Sequence, residues 1–143
     1  MALGFEKCVG DNKLVKVEED KQIAQSEIME GEHDLQSALD DLKHRDWKWS
    51  TDKAYYAMFH AARGLLFMKG YKEKSHTCLI LAIHELFVKE GLLEERFLDL
   101  LISGKKRRED AIYESKYSEE IARTHVDAAR EFLTWAGHFV RKW

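Results

Sequence analysis

The 143-residue chain contains no proline. Proline is the residue that most surely interrupts a helix, because its ring clashes with the preceding turn and it has no N–H to donate. Without it, segment ends must be set by glycines and capping side chains, and any apolar run at three- and four-residue spacing is free to be helical. Ala, Leu, Glu, Lys and Arg supply most of the remaining positions, and all favour that state. The expected class is therefore all-α, an up-and-down bundle of four to five helices, antiparallel where the joints are short. The length suits one domain with one core.

Residues 1–14 show no sustained period and carry Gly4, Gly10, Asp11 and Asn12, so they read as a loose leader ahead of a single domain over 15–143. The first helix is expected over Val15 to Lys43, with Ala24, Ile28, Gly31, Leu35, Ala38 and Leu42 on one face. Ser50, Thr51 and Asp52 can cap a second helix that runs to Met68 and stops at Gly70. It is apolar nearly all round, which marks it as central. Ser75 can cap a third helix through Thr77 to Lys89, ended by Gly91. A fourth is expected from Glu94 to Tyr113, with an interruption possible at Ser103-Gly104. Ser118, followed by Glu119 and Glu120, starts the fifth, whose stripe is Ile121, His125, Ala128, Phe132, Ala136 and Phe139.

A formal net charge of -3, from 26 acidic and 23 basic residues, excludes a general polycation; any nucleic-acid contact must use a local patch. The two cysteines, Cys8 and Cys78, have neither metal-ligand spacing nor a disulfide framework, which fits a reduced compartment. No run reaches the ~20 apolar residues of a membrane span, so the expected location is cytoplasmic. No metal site is expected either: His60, His76 and His84 form no metal-binding pattern, and His84-Glu85 is an isolated dipeptide. Nor does any Gly-rich loop suggest a nucleotide cofactor. Ser75-His76 resembles a nucleophile and base only superficially, since adjacent helical residues do not face each other and Ser75 serves as a cap.

Two features remain. Lys53, Tyr56, His60, Arg63 and Gly64 fall on one line of the second helix. An unpaired Arg63 would be costly to bury, so the line must face a carboxylate of the same chain, a partner or a groove. Lys105-Lys106-Arg107-Arg108 is the only dense cationic run, and Glu109 and Asp110 follow it directly. It reads either as a solvated face or as a phosphate-binding patch.

The segment Ala54-Tyr55-Tyr56-Ala57-Met58-Phe59-His60-Ala61-Ala62-Arg63 resembles the central-helix signature of the small HEPN proteins. Lys74-Ser75-His76, Phe87-Val88-Lys89-Glu90-Gly91-Leu92 and Ser118-Glu119-Glu120 are similar to three further stretches of that family, in the same order, and the resemblance covers about Glu27 to Val140. It implies a homodimer, frequent pairing with a minimal nucleotidyltransferase protein, as in toxin–antitoxin pairs, and in many members metal-independent ribonuclease activity. The active members carry Arg, four to six residues, then His. Here Arg108 matches the arginine, but Tyr113 stands where histidine would at a spacing of four, and Ile112 departs from the Arg-x-x-Ala-Asp-Tyr pattern of inactive-looking members. A phenol of pKa near 10 is ionised only about one part in a thousand at pH 7 and makes a poor base. No catalytic residue is therefore assigned. The resemblance implies a binding module, with Arg108, Tyr113, Arg107, Lys105 and Lys106 as candidates for nucleotide or RNA phosphate and Tyr56, His60 and Arg63 as a dimer or partner seam. A ribonuclease toxin using His60 or His125 in place of the missing histidine is the alternative, and a purely structural adaptor is the third.

Overall fold

The computed structural model describes residues 2–142. Six α-helices among them carry the fold: α1 (Ala2–Gly10), α2 (Lys21–Lys43), α3 (Trp47–Met68), α4 (His76–Ile83), α5 (Glu95–Tyr113) and α6 (Glu119–Lys142), with short strands β1 (Leu14–Lys16) and β2 (Tyr71–Glu73). The class is all-α, as expected, with only this short pair of strands beside the helices. Helix α3 packs against α2, α5 and α6 and also touches α4. Its Tyr55, Met58, Leu65 and Leu66 are completely or almost completely buried, together with Leu79, Ile83, Phe87, Leu101, Val126 and Phe132 from the surrounding elements.

Local chemistry sets most helix ends. The Ser75 side chain accepts from Cys78 N at 3.1 Å and the Ser118 side chain from Ile121 N at 3.2 Å, so both expected caps are present. Gly70 follows α3 with φ +79°, a conformation that costs a residue with a Cβ. Helix α3 itself begins earlier than expected. Asp46, not the Ser50-Thr51-Asp52 cluster, is its cap and accepts from Trp49 N at 3.1 Å. Ser50 and Thr51 are buried within the helix and donate back to the Trp47 carbonyl. Helix α5 runs through Ser103-Gly104 without a break, and α4 passes into a π-helical turn over His84–Val88.

The largest departure is at the start of the chain. Within residues 2–14, expected to be loose, lie α1 and the start of β1, and Val15 and Lys16, expected to open the first long helix, belong to that strand instead. β1 pairs antiparallel with β2, with Leu14 opposite Glu73, Val15 opposite Lys72 and Lys16 opposite Tyr71. Phe5 meets Tyr71 edge-on at 5.7 Å. Contrary to the expectation of two cysteines outside any disulfide framework, Cys8 and Cys78 form a disulfide between α1 and α4, because the fold lays the two helices side by side. None of these contacts has a local signature: α1 is too short to hold itself together, and its order comes from partners about 70 residues away.

Where α2 crosses α3 the helices approach closely. A Cβ at Gly31 would lie 2.9 Å from the Ala57 carbonyl oxygen and 2.7 Å from Leu133 Cδ2. That contact brings the acidic face of α2 onto the polar line of α3.

Candidate functional site

The polar line of α3 is satisfied within the chain. His60 Nδ1 lies 2.7 Å from Glu27 Oε2, and its Nε2 lies 3.5 Å from Asp34 Oδ2. Arg63 donates from Nε to Glu73 at 2.6 Å, sits 3.7 Å from Glu27, and stacks over the Phe59 ring at 4.7 Å. Lys53 pairs with Asp41 at 2.8 Å. The seam is thus an ion-pair ladder from α3 to α2 and β2. Its arginine and histidine leave no unpaired charge for a second copy to satisfy, so the expectation of a dimer loses its electrostatic premise.

The ladder fixes a pH dependence. Hydrogen bonding to Glu27 raises the His60 pKa above its usual 6.5, against the opposing effect of burial, with further help from the Glu27 and Asp34 charges. A raised folded pKa means that the stabilisation is fully present below the unfolded value, near 6.5, and fades as pH rises through the folded value. His60→Gln should therefore cost more stability at pH 6 than at pH 9 in urea denaturation. Equal costs at the two pH values would remove the charged pair from the account.

The cationic run of α5 divides by helical phase. Lys105 and Lys106 pair with Glu109 and Asp110 at 2.7 and 2.9 Å, the i,i+4 arrangement of a solvated face. Arg107 is exposed. Arg108, three positions on from Lys105, turns back towards α3: its Nε donates to Asp52 at 2.9 Å, and its guanidinium lies 4.9 Å from the Tyr56 ring centre. It also reaches within 6.0 Å of the Tyr113 ring centre. Residues 108 and 113 are about 140° apart on an ideal helix, so only long side chains can make that contact. Asp52 engages the Nε donor of a guanidinium that has five N–H donors, which leaves donors for an anion.

The same corner holds a histidine that sequence reasoning set aside. His76, the first residue of α4, stacks on Phe59 with ring centres 4.4 Å apart and meets Tyr56 edge-on at 6.4 Å. Its Nδ1 is 2.7 Å from the hydroxyl of the buried Tyr55. Burial lowers the pKa of His76, and the positive charges of Lys105, Arg108 and Arg63 push the same way against Glu73. The ring is only partly buried, and these three cations favour its neutral form. Spacing could not show this, because the corner forms only when α4 is laid across α3 and α5.

The other histidines play different parts. His125 is buried, its Nδ1 has no hydrogen-bond partner, and burial lowers its pKa. His60 belongs to the ladder. Neither shares the contacts of Arg108 with Asp52 and Tyr56.

Comparison with known proteins agrees with this architecture. The HEPN domain model matches residues 24–139. A protein of Methanocaldococcus jannaschii named as a candidate toxin is 30% identical over 103 residues, covering 71% of this chain and 77% of that protein. A UPF0332 protein of Pyrococcus horikoshii is 36% identical over 70 residues, covering 49% of each chain.

Proposed function

The chain belongs to the HEPN domain family, and from that membership we propose that it is the effector half of a toxin–antitoxin-like pair that holds an RNA or nucleotide phosphate at Arg108. The observation that carries the reading is the posture of Arg108. Asp52 and the Tyr56 ring fix its guanidinium while donors remain unused. An arginine held in this way loses little entropy when it binds an anion, and its fork matches phosphate oxygens. The name of the Methanocaldococcus relative supports the toxin side of the proposal. Homodimerisation and pairing with a minimal nucleotidyltransferase belong to the proposal through the family resemblance; light scattering and co-purification check them.

Helical phase divides the patch unequally. Lys105 lies on the side of Arg108 and His76, whereas Lys106 and Arg107 are exposed on the outer face. Fluorescence anisotropy with a labelled single-stranded RNA should show affinity that falls steeply with salt, as phosphate contacts do. Arg108→Ala should weaken binding about tenfold or more, since a charge-assisted hydrogen bond contributes on the order of 1.5–3 kcal/mol. The Lys106→Ala/Arg107→Ala double variant should lose much less. Unchanged affinity in Arg108→Ala would end the reading.

A further inference from the structure

We infer that the exposed rings of Trp49 and Tyr113 are base-stacking platforms beside the phosphate position of Arg108, so that this corner takes single-stranded nucleic acid in preference to a duplex. The inference rests on the phosphate-binding reading above and deepens it. It gives Tyr113 a role for its ring face and adds Trp49, a residue that charge does not select.

Most aromatic side chains of this protein lie in the core or pack against it. Trp49, 45% exposed, and Tyr113, 70% exposed, do neither. Two large rings left in water contribute little to folding, and each has a cation beside it. Lys48 Nζ lies 5.4 Å from the centre of the Trp49 ring, and the Arg108 guanidinium lies 6.0 Å from that of Tyr113.

The two rings reach the Arg108 corner by different routes. Tyr113 meets the guanidinium directly, from the end of α5. Trp49 is placed by the phase of α3: positions 49, 52 and 56 fall within about 60° of one another around an ideal helix, and residues three apart have Cβ atoms about 5–6 Å from each other. Asp52, the middle member, accepts from Arg108 Nε at 2.9 Å, and the ring of Tyr56, the last, is 4.9 Å from the guanidinium. Trp49 therefore stands one helical turn from the residue that anchors Arg108.

A nucleotide carries a phosphate and a flat base on one flexible linkage. An arginine on the phosphate with aromatic faces nearby engages both, and the stacking tolerates any sequence because every base has a π-face. In a duplex the bases are paired and stacked on one another, which closes their faces to Trp49 and Tyr113. Only the phosphates then remain for Arg108 and Lys105, and binding rests on charge alone. Rings with cations beside them also suit an anionic strand better than a second copy of the chain, whose matching patch carries the same charges.

Fluorescence anisotropy at one salt concentration can compare three labelled probes: a single-stranded RNA, the same strand annealed to its complement, and a ribose–phosphate strand of equal length without bases. Wild type should prefer the single strand about tenfold over either of the others. Trp49→Ala and Tyr113→Ala should each weaken single-strand binding about fivefold or more, the scale of one lost stacked base, and bring the ratio of single-strand to baseless affinity towards one. Both should keep the wild-type melting temperature, since neither ring packs against the core. Trp49→Phe and Tyr113→Phe should retain most of the affinity, because a ring face is used and not the indole N–H or the hydroxyl. Arg108→Ala should lower binding to all three probes. Unchanged single-strand affinity in both alanine variants overturns the inference, and so does equal binding of the three probes by wild type; either result, with the loss in Arg108→Ala intact, leaves the phosphate-binding reading standing. A smaller mass for Trp49→Ala than for wild type in light scattering would assign the ring to a contact between copies and likewise overturn it. Failure of wild type to bind any probe removes both readings.

Discussion

Reducing the Cys8–Cys78 bond should cost the fold on the order of 4 kcal/mol and release the start of the chain before the rest unfolds. The bond closes a loop of 70 residues, and a cross-link of that span removes chain entropy from the unfolded state worth about 4 kcal/mol on the loop-closure account. What the bond holds is weak by itself. Helix α1 has nine residues and cannot persist alone, and the β1–β2 ladder is three residues long. Apart from the bond, the segment docks through Phe5 on Tyr71 and Gly4 near Leu81. Urea denaturation with and without a phosphine reductant should therefore show a marked drop in midpoint. Cys8→Ser should reproduce the reduced protein under oxidising conditions, and hydrogen exchange should accelerate first at Val17 N, which bonds to Gly70, and at Lys74 N, which bonds to Lys13. A native mass that shows two free thiols, or equal midpoints in both redox states, would remove this cross-link from the account of stability.

What could be read from the sequence follows the range of the interactions. The caps at Ser75 and Ser118 and the stop at Gly70 are written in residues within three or four positions of the event, and they are where the pattern places them. The apolar body of α3 identified the central helix for the same reason: its environment is encoded all round it. Asp46 was passed over because the hydroxyls at Ser50 and Thr51 look like a cap, and only the first turn through Trp47-Lys48-Trp49 shows that the helix has already begun. Helix α1, β1 and the disulfide depend on residues about 70 positions away and leave no periodic trace. The site divides along the same line. Arg108 and Lys105 were visible as charges, but not their phase relative to Lys106 and Arg107. His76 looks like an ordinary residue behind a cap, and its surroundings come from Phe59 and Tyr56 on α3 and Arg108 on α5, two other helices that must be brought to α4.

The Arg63 ladder allows the other large expected effect, and it separates a folding role from an assembly role. Glu73 lies at the end of β2 with its side chain only 5% exposed, and Arg63 is its ion-pair partner at 2.6 Å. Removing one partner of such a pair leaves a charge in a site that water cannot adequately solvate, which typically costs about 3–5 kcal/mol. Arg63 is itself partly exposed and Glu27 is nearby, so Arg63→Ala should fall towards the lower end, about 3 kcal/mol. Replacing both residues removes the stranded charge along with its partner. Arg63→Met/Glu73→Gln should therefore recover much of the loss, with a coupling energy of about 1–2 kcal/mol in a double-mutant cycle. The oligomeric state should not change in Arg63→Ala at concentrations where the variant remains folded, because the guanidinium is satisfied within its own chain. If Arg63 bridged two copies, the same substitution would instead lower the mass seen by light scattering and make the melting temperature depend on protein concentration. A stability loss well under 1 kcal/mol together with such dissociation would move the ladder from the interior of one bundle to a contact between two.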